Sequence, residues 1–394
     1  MGNNDRRPKI RFKGFNDDWE QHKVCEIAER YDNLRIPVSA NLRVKGSTPY
    51  YGANGIQDYV DGFTHDGEYI LIAEDGANDI KNYPVNYVNG RIWVNNHAHV
   101  LQGKINVTNN KFLGYTMSYA NIESVLVGGD RPKLNADVMM NLEIKIPRYN
   151  EQVIIGEYFS NIDKLITLHQ RKLEKLGNIK KSMLEKMFPK DENKVPEIRF
   201  KGFNDDWEQY KLGEISNKVT TKNSSLKYLE TFTNSAEYGI ISQKDFFENN
   251  ISKVEKLDRY YVVEPEDFVY NPRISINAPV GPINRNTLDR CGVMSPLYSV
   301  FKTHNIDNTY LEYFFKSNYW HSFMFFNGDS GARSDRFSIK DTVFMEMPIP
   351  YPNIYEQSKI GVFLKQLDND ITLHQRKLEK LKNIKKACLE KMFV

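Results

Sequence analysis

The stretch ITLHQRKLEKLGNIKKSMLEKMF, from Ile166 to Phe188, occurs twice in this chain of 394 residues. Its second copy, ITLHQRKLEKLKNIKKACLEKMF, runs from Ile371 to Phe393. Apolar side chains recur in alternating steps of three and four residues, flanked by charged ones, which is typical of a heptad seam. Such a helix cannot bury its apolar stripe alone, so two copies predict an intramolecular coiled coil. The open alternative is that each helix packs separately on its own domain.

The predicted seam of the coiled coil has equivalent positions in both copies. The helices are expected to begin upstream of the repeat, because the motif EQxxIG also recurs, from Glu151 and from Glu356. We interpret the two histidines of the seam as polar core residues rather than as metal ligands. The seam positions are Ile166, His169, Leu173, Leu176, Ile371, His374, Leu378 and Leu381.

A second repeated block opens each half of the chain. KIRFKGFNDDWEQHK at 9–23 matches EIRFKGFNDDWEQYK at 197–211. Between block and helix, each half has a region rich in short β-type runs with turn residues. In the first half these runs include IESVLVGGDRP at 122–132, and a helical stretch near 110–119 interrupts them. We therefore predict two α+β domains of the same fold but divergent sequence. The predicted boundaries are 1–150 for domain 1, 151–188 for the first long helix, 189–196 for a linker, 197–354 for domain 2 and 355–394 for the second long helix.

Composition and charge describe a soluble protein of the cytoplasm. Hydrophobic residues make up 40% and charged residues 27%, as in ordinary globular proteins. No apolar run approaches the eighteen residues of a membrane span, and the N-terminus has no signal-peptide core. Cys25, Cys291 and Cys388 are an odd number at unrelated spacings, which suits a reducing compartment. The formal net charge of +3 neither favours nor excludes nucleic acid as a partner.

Motifs that would indicate catalysis are weak in this sequence. GDSGA at 328–332 resembles the nucleophile segment of chymotrypsin-like proteases, but no matching histidine and aspartate context accompanies it. YNPRI at 270–274 lacks the second proline and the aromatic residue of the adenine-methyltransferase segment. A GxxxxGK[ST] phosphate-binding loop is absent from the sequence. We therefore expect no catalytic residues in this chain.

A metal site is also not favoured by the sequence. His97 and His99 lie two residues apart on one side of a predicted strand in NNHAH, at 95–99. A third ligand is not evident, and zinc needs three or four protein ligands. Local hydrogen bonding, or a contact with a phosphate or a base, is the preferred interpretation.

Polar loops next to glycines are the most informative feature of both variable regions. Arg and Lys side chains can reach the O6 and N7 atoms of guanine, and Asn or Gln can pair with adenine. One such loop is usually only a turn, but their recurrence in two parallel domains indicates two readers of short DNA sites at a fixed spacing. The candidate DNA-binding residues are Tyr50, Tyr51, Asn54, Asn78, Asn96, His97, Arg131, Lys133, Gln243, Lys244, Tyr270, Asn271, Arg273, Asn277, Arg333 and Arg336.

The two repeated blocks, in their order around two variable regions, resemble the specificity (S) subunits of type I restriction-modification systems. PEIRFKGFNDDWEQYKLGEI, the ITLHQRKLEKL helix and its LEKMF ending carry the resemblance, which covers essentially the whole chain. It implies that each variable region is a target-recognition domain for one half of a bipartite double-stranded DNA sequence. It also implies an antiparallel coiled coil and pseudo-two-fold symmetry.

The resemblance further implies the partners of this chain. Two methyltransferase (M) subunits would methylate adenine N6 with S-adenosylmethionine, and two restriction (R) subunits would add ATP- and Mg-dependent translocation and cleavage. The chain itself would then bind no cofactor and no metal. The rival hypothesis is a coiled-coil scaffold whose domains bind proteins instead of DNA.

Overall fold

The structure is a computed structural model that describes residues 6–129, 132–190, 193–246, 254–330 and 335–394. The chain divides into two compact units. Unit 1 comprises Met1–Arg171 with Gln375–Val394, and unit 2 comprises Lys172–His374. Each unit therefore joins one variable region to parts of both long helices.

Unit 1 is built around a six-stranded sheet with the strand order β2-β7-β5-β6-β3-β4, and a separate two-stranded ladder pairs β1 with β8. The strands are β1 Glu20–Lys23, β2 Ala28–Arg30, β3 Lys45–Gly52, β4 Gly55–Val60, β5 His65–Ala73, β6 Val85–Val94, β7 Ala98–Gly103 and β8 Glu143–Ile146. The helices are α1 Val24–Ile27, α2 Asn110–Tyr119, α3 Ala136–Met140 and the long α4 Tyr149–Lys186.

Unit 2 has a four-stranded sheet, β10-β17-β14-β15, and the pairs β11-β12, β13-β16 and β18-β9. Its strands are β9 Glu208–Lys211, β10 Ser216–Lys218, β11 Phe232–Ser235, β12 Gly239–Ser242, β13 Tyr261–Val263, β14 Phe268–Tyr270, β15 Ile283–Arg285, β16 Gly292–Met294, β17 Ser299–Thr303 and β18 Pro348–Tyr351. Its helices are α5 Gln243–Phe246, α6 Asn308–Lys316, α7 Tyr319–Asn327, α8 Asp341–Phe344 and the long α9 Ile354–Met392.

The repeated block is fixed to its own long helix by the same contact in both units. Arg11 donates from Nε and Nη2 to the two carboxylate oxygens of Glu151, each at 2.6 Å. Arg199 makes the equivalent pair of bonds to Glu356, at 2.7 and 2.9 Å. Both carboxylates are buried, and a buried charge is tolerated when it is paired and hydrogen-bonded. The Arg of IRFKGF and the Glu of EQxxIG therefore form one structural unit.

The glutamine and the glycine of EQxxIG fix the helix of each domain. Gln152 accepts from the backbone N–H of Asn109, directly before α2, at 3.0 Å. In unit 2, Gln357 accepts from the backbone N–H of Asp307, directly before α6, at 2.8 Å. A Cβ at Gly156 would lie 2.8 Å from Asn109 Oδ1, so this position needs glycine for the close helix approach. The motif recurs because both units repeat the same helix packing.

The two long helices run antiparallel, and each ends in the unit of the other half. In unit 1, Phe393 at the end of α9 packs against Trp19, Phe112 and Phe159. In unit 2, Phe188 after α4 packs against Tyr310 and Phe314. Each predicted seam position is buried or half-buried, and all except Ile371 lie between exposed neighbours, which confirms the coiled-coil prediction. The alternative, in which each helix packs only on its own domain, is wrong.

The local predictions succeed for helices and for most strands. The helical stretch near 110–119 is α2, and the strand before each long helix is β8 or β18. The expected β-type run at 122–132 is wrong over its described part, since a 3₁₀ turn occupies Glu123–Val125 and only an isolated bridge forms at Val127. None of the helices in the described residues is long and apolar enough to cross a membrane.

Candidate nucleic-acid interface

The loops after β3 and β5 are joined in unit 1 by one asparagine side chain. Asn54 donates from Nδ2 to the carbonyl oxygen of Gly76 at 2.9 Å. Its Oδ1 accepts from the backbone N–H of Asn78 at 2.9 Å. Both side chains are exposed, but Asn54 already uses both polar atoms to shape the loop. Asn78 is therefore the better placed of the two for a contact with a base.

His97 lies on the same edge of the sheet, held by an aspartate. Its Nδ1 lies 2.5 Å from Asp75 Oδ1, and its backbone N–H donates to Asn95 Oδ1 at 2.8 Å. The side chain remains 47% exposed, and Asn96 beside it is exposed as well. Asp75 therefore orients an imidazole whose other edge can face a ligand.

Lys133 joins this cluster through Glu74. Lys133 Nζ lies 2.9 Å from Glu74 Oε1, and Arg35 Nη1 donates to Glu74 Oε2 at 2.7 Å. Burial works to raise the pKa of Glu74, but the hydrogen bonds from Arg35 and Lys133, together with the charges of His99 and Arg35, hold this pKa below its usual value. The carboxylate thus fixes two cations next to the exposed loops.

A buried histidine, His99, connects the loops of unit 1 by hydrogen bonds. His99 Nδ1 lies 2.7 Å from Asp32 Oδ2, and Nε2 lies 2.9 Å from the carbonyl oxygen of Leu134. Both ring nitrogens therefore have an oxygen partner within hydrogen-bond distance. Burial works to raise the pKa of Asp32, but the hydrogen bond from His99 helps to hold it below its usual value. His99 therefore holds the loops of unit 1 through contacts of both ring nitrogens.

In unit 2 three of the candidate residues line a cleft of about 350 Å³ beside β11 and β14. Gln243, Asn271 and Arg273 line it together with Asn234. Asn271 donates from Nδ2 to the carbonyl oxygen of Asn234 at 2.8 Å, and its Oδ1 accepts from the backbone N–H of Arg273 at 3.0 Å. The Arg273 side chain is exposed, as is Lys244, which follows Gln243 on α5.

Arg273, which lines this cleft, meets a second arginine on a neighbouring backbone segment. Arg273 and Arg336 form an isolated antiparallel bridge, with Arg273 exposed and Arg336 half-buried. Asn277 is exposed in the turn that Ser275 and Ala278 close through two backbone hydrogen bonds, at 3.0 and 3.1 Å. The tertiary structure therefore brings the loops at 270–279 and 335–338 to one edge of unit 2.

Two tyrosines must be removed from the candidate residues. Tyr50 is 1% exposed, and its hydroxyl accepts from the Val38 backbone N–H at 2.9 Å. Tyr270 is 3% exposed, and its hydroxyl donates to the Val280 carbonyl oxygen at 2.9 Å. Burial raises the pKa of Tyr270. Both rings belong to the core. Tyr51 is half-buried at the end of β3.

Two candidates, Arg131 and Arg333, lie outside the described residues. Some residues of the candidate interface could not be recognised from any local pattern in the sequence. The residues that hold the loops are far apart in the chain and belong to ordinary loop or strand segments, so no local pattern marks them. They are Asp32, Arg35, Glu74, Asp75 and His99 in unit 1, and Asn234 and Asn284 in unit 2, where Asn284 donates to Asn234 Oδ1 at 2.7 Å.

Amides and cations are common to the side chains at both edges. Among the described residues, no group of three or more His, Cys, Asp or Glu side chains could hold a metal ion. The clusters at both edges contain amide side chains together with arginine or lysine on glycine-containing loops, and such side chains hydrogen-bond to base edges and phosphates.

Comparison with known proteins gives a consistent family. The model of the type I restriction modification DNA specificity domain matches twice, at residues 16–178 and 204–383. A putative type I restriction enzyme specificity subunit of Haemophilus influenzae is 42% identical over 144 residues, or 36% of this chain. The chain spans only 37% of the length of that relative.

Two longer matches cover nearly the whole chain. The type I restriction enzyme MjaVIII specificity subunit of Methanocaldococcus jannaschii is 23% identical over 95% of this chain and 91% of its own length. The crystal structure of a type I restriction-modification S subunit from M. genitalium matches 98% of this chain and 99% of that one, with a TM-score of 0.67 at 14% identity, and so shares its fold. With two family matches that together cover most of its residues, this chain belongs to the type I restriction modification DNA specificity family.

Proposed function

We propose that this chain is the non-catalytic specificity subunit of a type I restriction-modification complex, in which each unit reads one half of a bipartite duplex DNA target. The proposal rests on a contrast between the structural contacts that both units share and the exposed loops, which differ. The Arg–Glu contacts and the seam are the same in both units, whereas the exposed polar clusters differ. Two units with the same structural contacts but different exposed polar clusters are suited to bind two different half-sites.

The chemistry of each cluster suits base recognition in the major groove. Lys133 and His97 in unit 1, and Arg273 in unit 2, provide donors for the acceptors of guanine, while Asn78 and Gln243 can pair with adenine. Carboxylate and amide partners within the protein hold the loops before DNA arrives. Such preorganisation lowers the entropy lost on binding.

The paired long helices set the length of the unspecified spacer in this proposal. Helix α4 has 38 residues and would extend about 57 Å at 1.5 Å per residue. Readers mounted on such an element bind half-sites at a spacing that the protein geometry fixes.

Two copies of one partner subunit fit the repeated surface. Lys13 and Asn16 in the first block are exposed, and so are their counterparts Lys201 and Asn204 in the second. The packing of each block would allow other side chains at these exposed positions. Because the exposed side chains are nevertheless the same in both blocks, they favour two copies of one binding partner. We infer that two M subunits dock there and that two R subunits join the assembly.

The catalytic chemistry is assigned to those partners. M subunits would supply S-adenosylmethionine-dependent transfer to adenine N6, and R subunits ATP- and Mg-dependent translocation and cleavage. The target of such a system is DNA in the cytoplasm, and the three free cysteines of this chain suit that compartment.

The test is methylome sequencing of a host with the gene deleted and then restored. One bipartite N6-methyladenine motif should disappear on deletion and return with the gene. If both methyltransferase and restriction genes are intact and no bipartite motif changes, the proposed function is wrong.

A further inference from the structure

A basic cleft of about 870 Å³ lies in unit 1 between the start of β6, helix α2 and the first half of α4. Lys111 in its lining is paired with Glu157, and Lys385 with Asp163. Lys164 and Arg171 are exposed, and among the described residues neither has a carboxylate within ion-pair distance. The charged side chains in the lining are Lys111, Asp163, Lys164, Arg171 and Lys385. The basic cleft thus combines a net positive charge with two cations available to a ligand.

The basic cleft begins where the loop between β5 and β6 of unit 1 ends. Val85, the first residue of β6 and part of the cleft lining, pairs with Ile72 in the sheet. Two residues beyond Ile72, the chain enters the loop that carries Asp75 and Asn78. A duplex seated on that loop would therefore bring its backbone toward α4.

We propose that the basic cleft binds the sugar–phosphate backbone of duplex DNA beside the half-site that unit 1 reads, through Lys164 and Arg171. This inference rests on the proposed function and adds a phosphate contact made by the spacer helix itself. The two residues lie seven positions apart, which is nearly two turns and about 10 Å along one face of α4. Measured along the duplex axis, that distance corresponds to about three base-pair steps at 3.4 Å per step.

The lining favours phosphate over a protein partner. Asn86, Ser118, Ser160 and Thr167 place amide and hydroxyl groups around the cations, and such groups commonly bind phosphate and sugar oxygens. Leu168 is exposed in the lining, whereas Val85, Tyr87 and Tyr115 are half-buried. The core of a protein interface needs several large apolar or aromatic anchors that are exposed before binding.

The repeat supplies a natural substitution for the test. The position of Lys164 is occupied by Asn369 in the second copy, directly after Asp368. The variant Lys164→Asn with Arg171→Gln removes two charges at surface positions. The matched control is Lys377→Gln with Lys380→Gln, which removes two charges from exposed positions of α9 outside the cleft lining.

The experiment measures the DNA affinity of the full chain, assembled with its methyltransferase subunits, as a function of salt concentration. The slope of log affinity against log salt should become shallower by about two for the cleft variant, because each phosphate contact contributes about 0.9. The methylated sequence should stay unchanged, because phosphate contacts carry no sequence information directly. The control variant should keep the full slope.

Three results would overturn the inference. The first is an unchanged slope for the cleft variant, and the second is an equal loss of slope for the control variant. The third is a cleft variant that no longer binds methyltransferase subunits, which would assign the surface to a protein. Failure of the proposed function looks different, because the unaltered complex would then show no sequence-specific, salt-dependent DNA binding at all.

Discussion

The ammonium group of Lys385 lies 2.6 Å from the carboxylate of Asp163 in unit 1, and Lys180 lies 2.5 Å from Asp368 in unit 2. Each aspartate also accepts a tyrosine hydroxyl at 2.7 Å, from Tyr115 on α2 in unit 1 and from Tyr313 on α6 in unit 2. The same triad therefore joins a domain helix to both long helices twice, with the roles of α4 and α9 exchanged.

The lysine–aspartate pair is expected to contribute modestly to stability. A double-mutant cycle with Asp163→Asn and Lys385→Met should give a coupling of about 0.5 kcal/mol, because both side chains are partly exposed and water screens the pair. Urea unfolding of the four proteins measures it. The cycle with Asp368→Asn and Lys180→Met should give a similar value, and clearly different couplings would contradict the equivalence of the two triads.

The buried Arg199–Glu356 contact should matter far more. Arg199→Met leaves a fully buried carboxylate without its guanidinium, which should destabilise unit 2 by about 3–5 kcal/mol in urea unfolding. Adding Glu356→Leu should recover much of this loss, because the uncompensated charge is gone. Lys201→Ala, an exposed change in the same block, is the control and should have little effect. A mild effect of Arg199→Met would show that water reaches the carboxylate.

Two glycines of α4 should respond to alanine in opposite directions. A Cβ added at Gly177 would meet open space, so Gly177→Ala should raise the free energy of unfolding by about 0.5–1 kcal/mol. At Gly156 the new Cβ would lie 2.9 Å from the backbone nitrogen of Phe112, so Gly156→Ala should lower it. Thermal unfolding distinguishes the two, and equal shifts would contradict the packing of α2 on α4.

Asp267 should make the stability of unit 2 depend on pH. Its side chain is 1% exposed, and burial raises its pKa to about 6. Folding favours the neutral carboxyl group of Asp267. The stability that its protonation contributes is fully present below the unfolded pKa of about 3.9 and is lost as the pH rises through 6. Asp267→Asn should therefore gain about 2 kcal/mol relative to the unaltered protein between pH 4 and pH 7.

Urea unfolding at several pH values tests this prediction. Asp289→Asn is the matched control, because its carboxylate is 98% exposed and should give no such pH-dependent gain. A difference between Asp267→Asn and the unaltered protein that stays constant with pH would contradict the burial argument.

Changes in the two loop clusters should affect separate halves of the recognised sequence. Asn78→Ala should relax one half and Arg273→Ala the other, each by about 1–3 kcal/mol of discrimination at one base pair. Methylome sequencing measures the result. Tyr50→Phe is the control, since it removes a buried hydrogen bond and should lower stability with the motif unchanged. If either loop variant altered both halves, separate reading by the two units would be wrong.

The sequence by itself determined the two long helices of this protein and their pairing. The heptad spacing from Ile166 onward predicted the long helix, and its burial pattern agrees position by position, because helix periodicity depends on residues three and four apart. The repeat also predicted that the helices need each other, since an apolar stripe requires a partner. The strand over 122–132 failed because β-propensity alone does not provide a pairing partner.

Tertiary structure decided which polar residues remain available for recognition. Tyr50 and Asn54 occur in the same glycine-containing stretch, yet Tyr50 is buried in the core and Asn54 is exposed in a loop. His97 and Asp75, or Arg273 and Arg336, meet only because the sheets and loops bring distant segments together. Burial and pairing of this kind depend on contacts across many residues, which local sequence patterns do not encode.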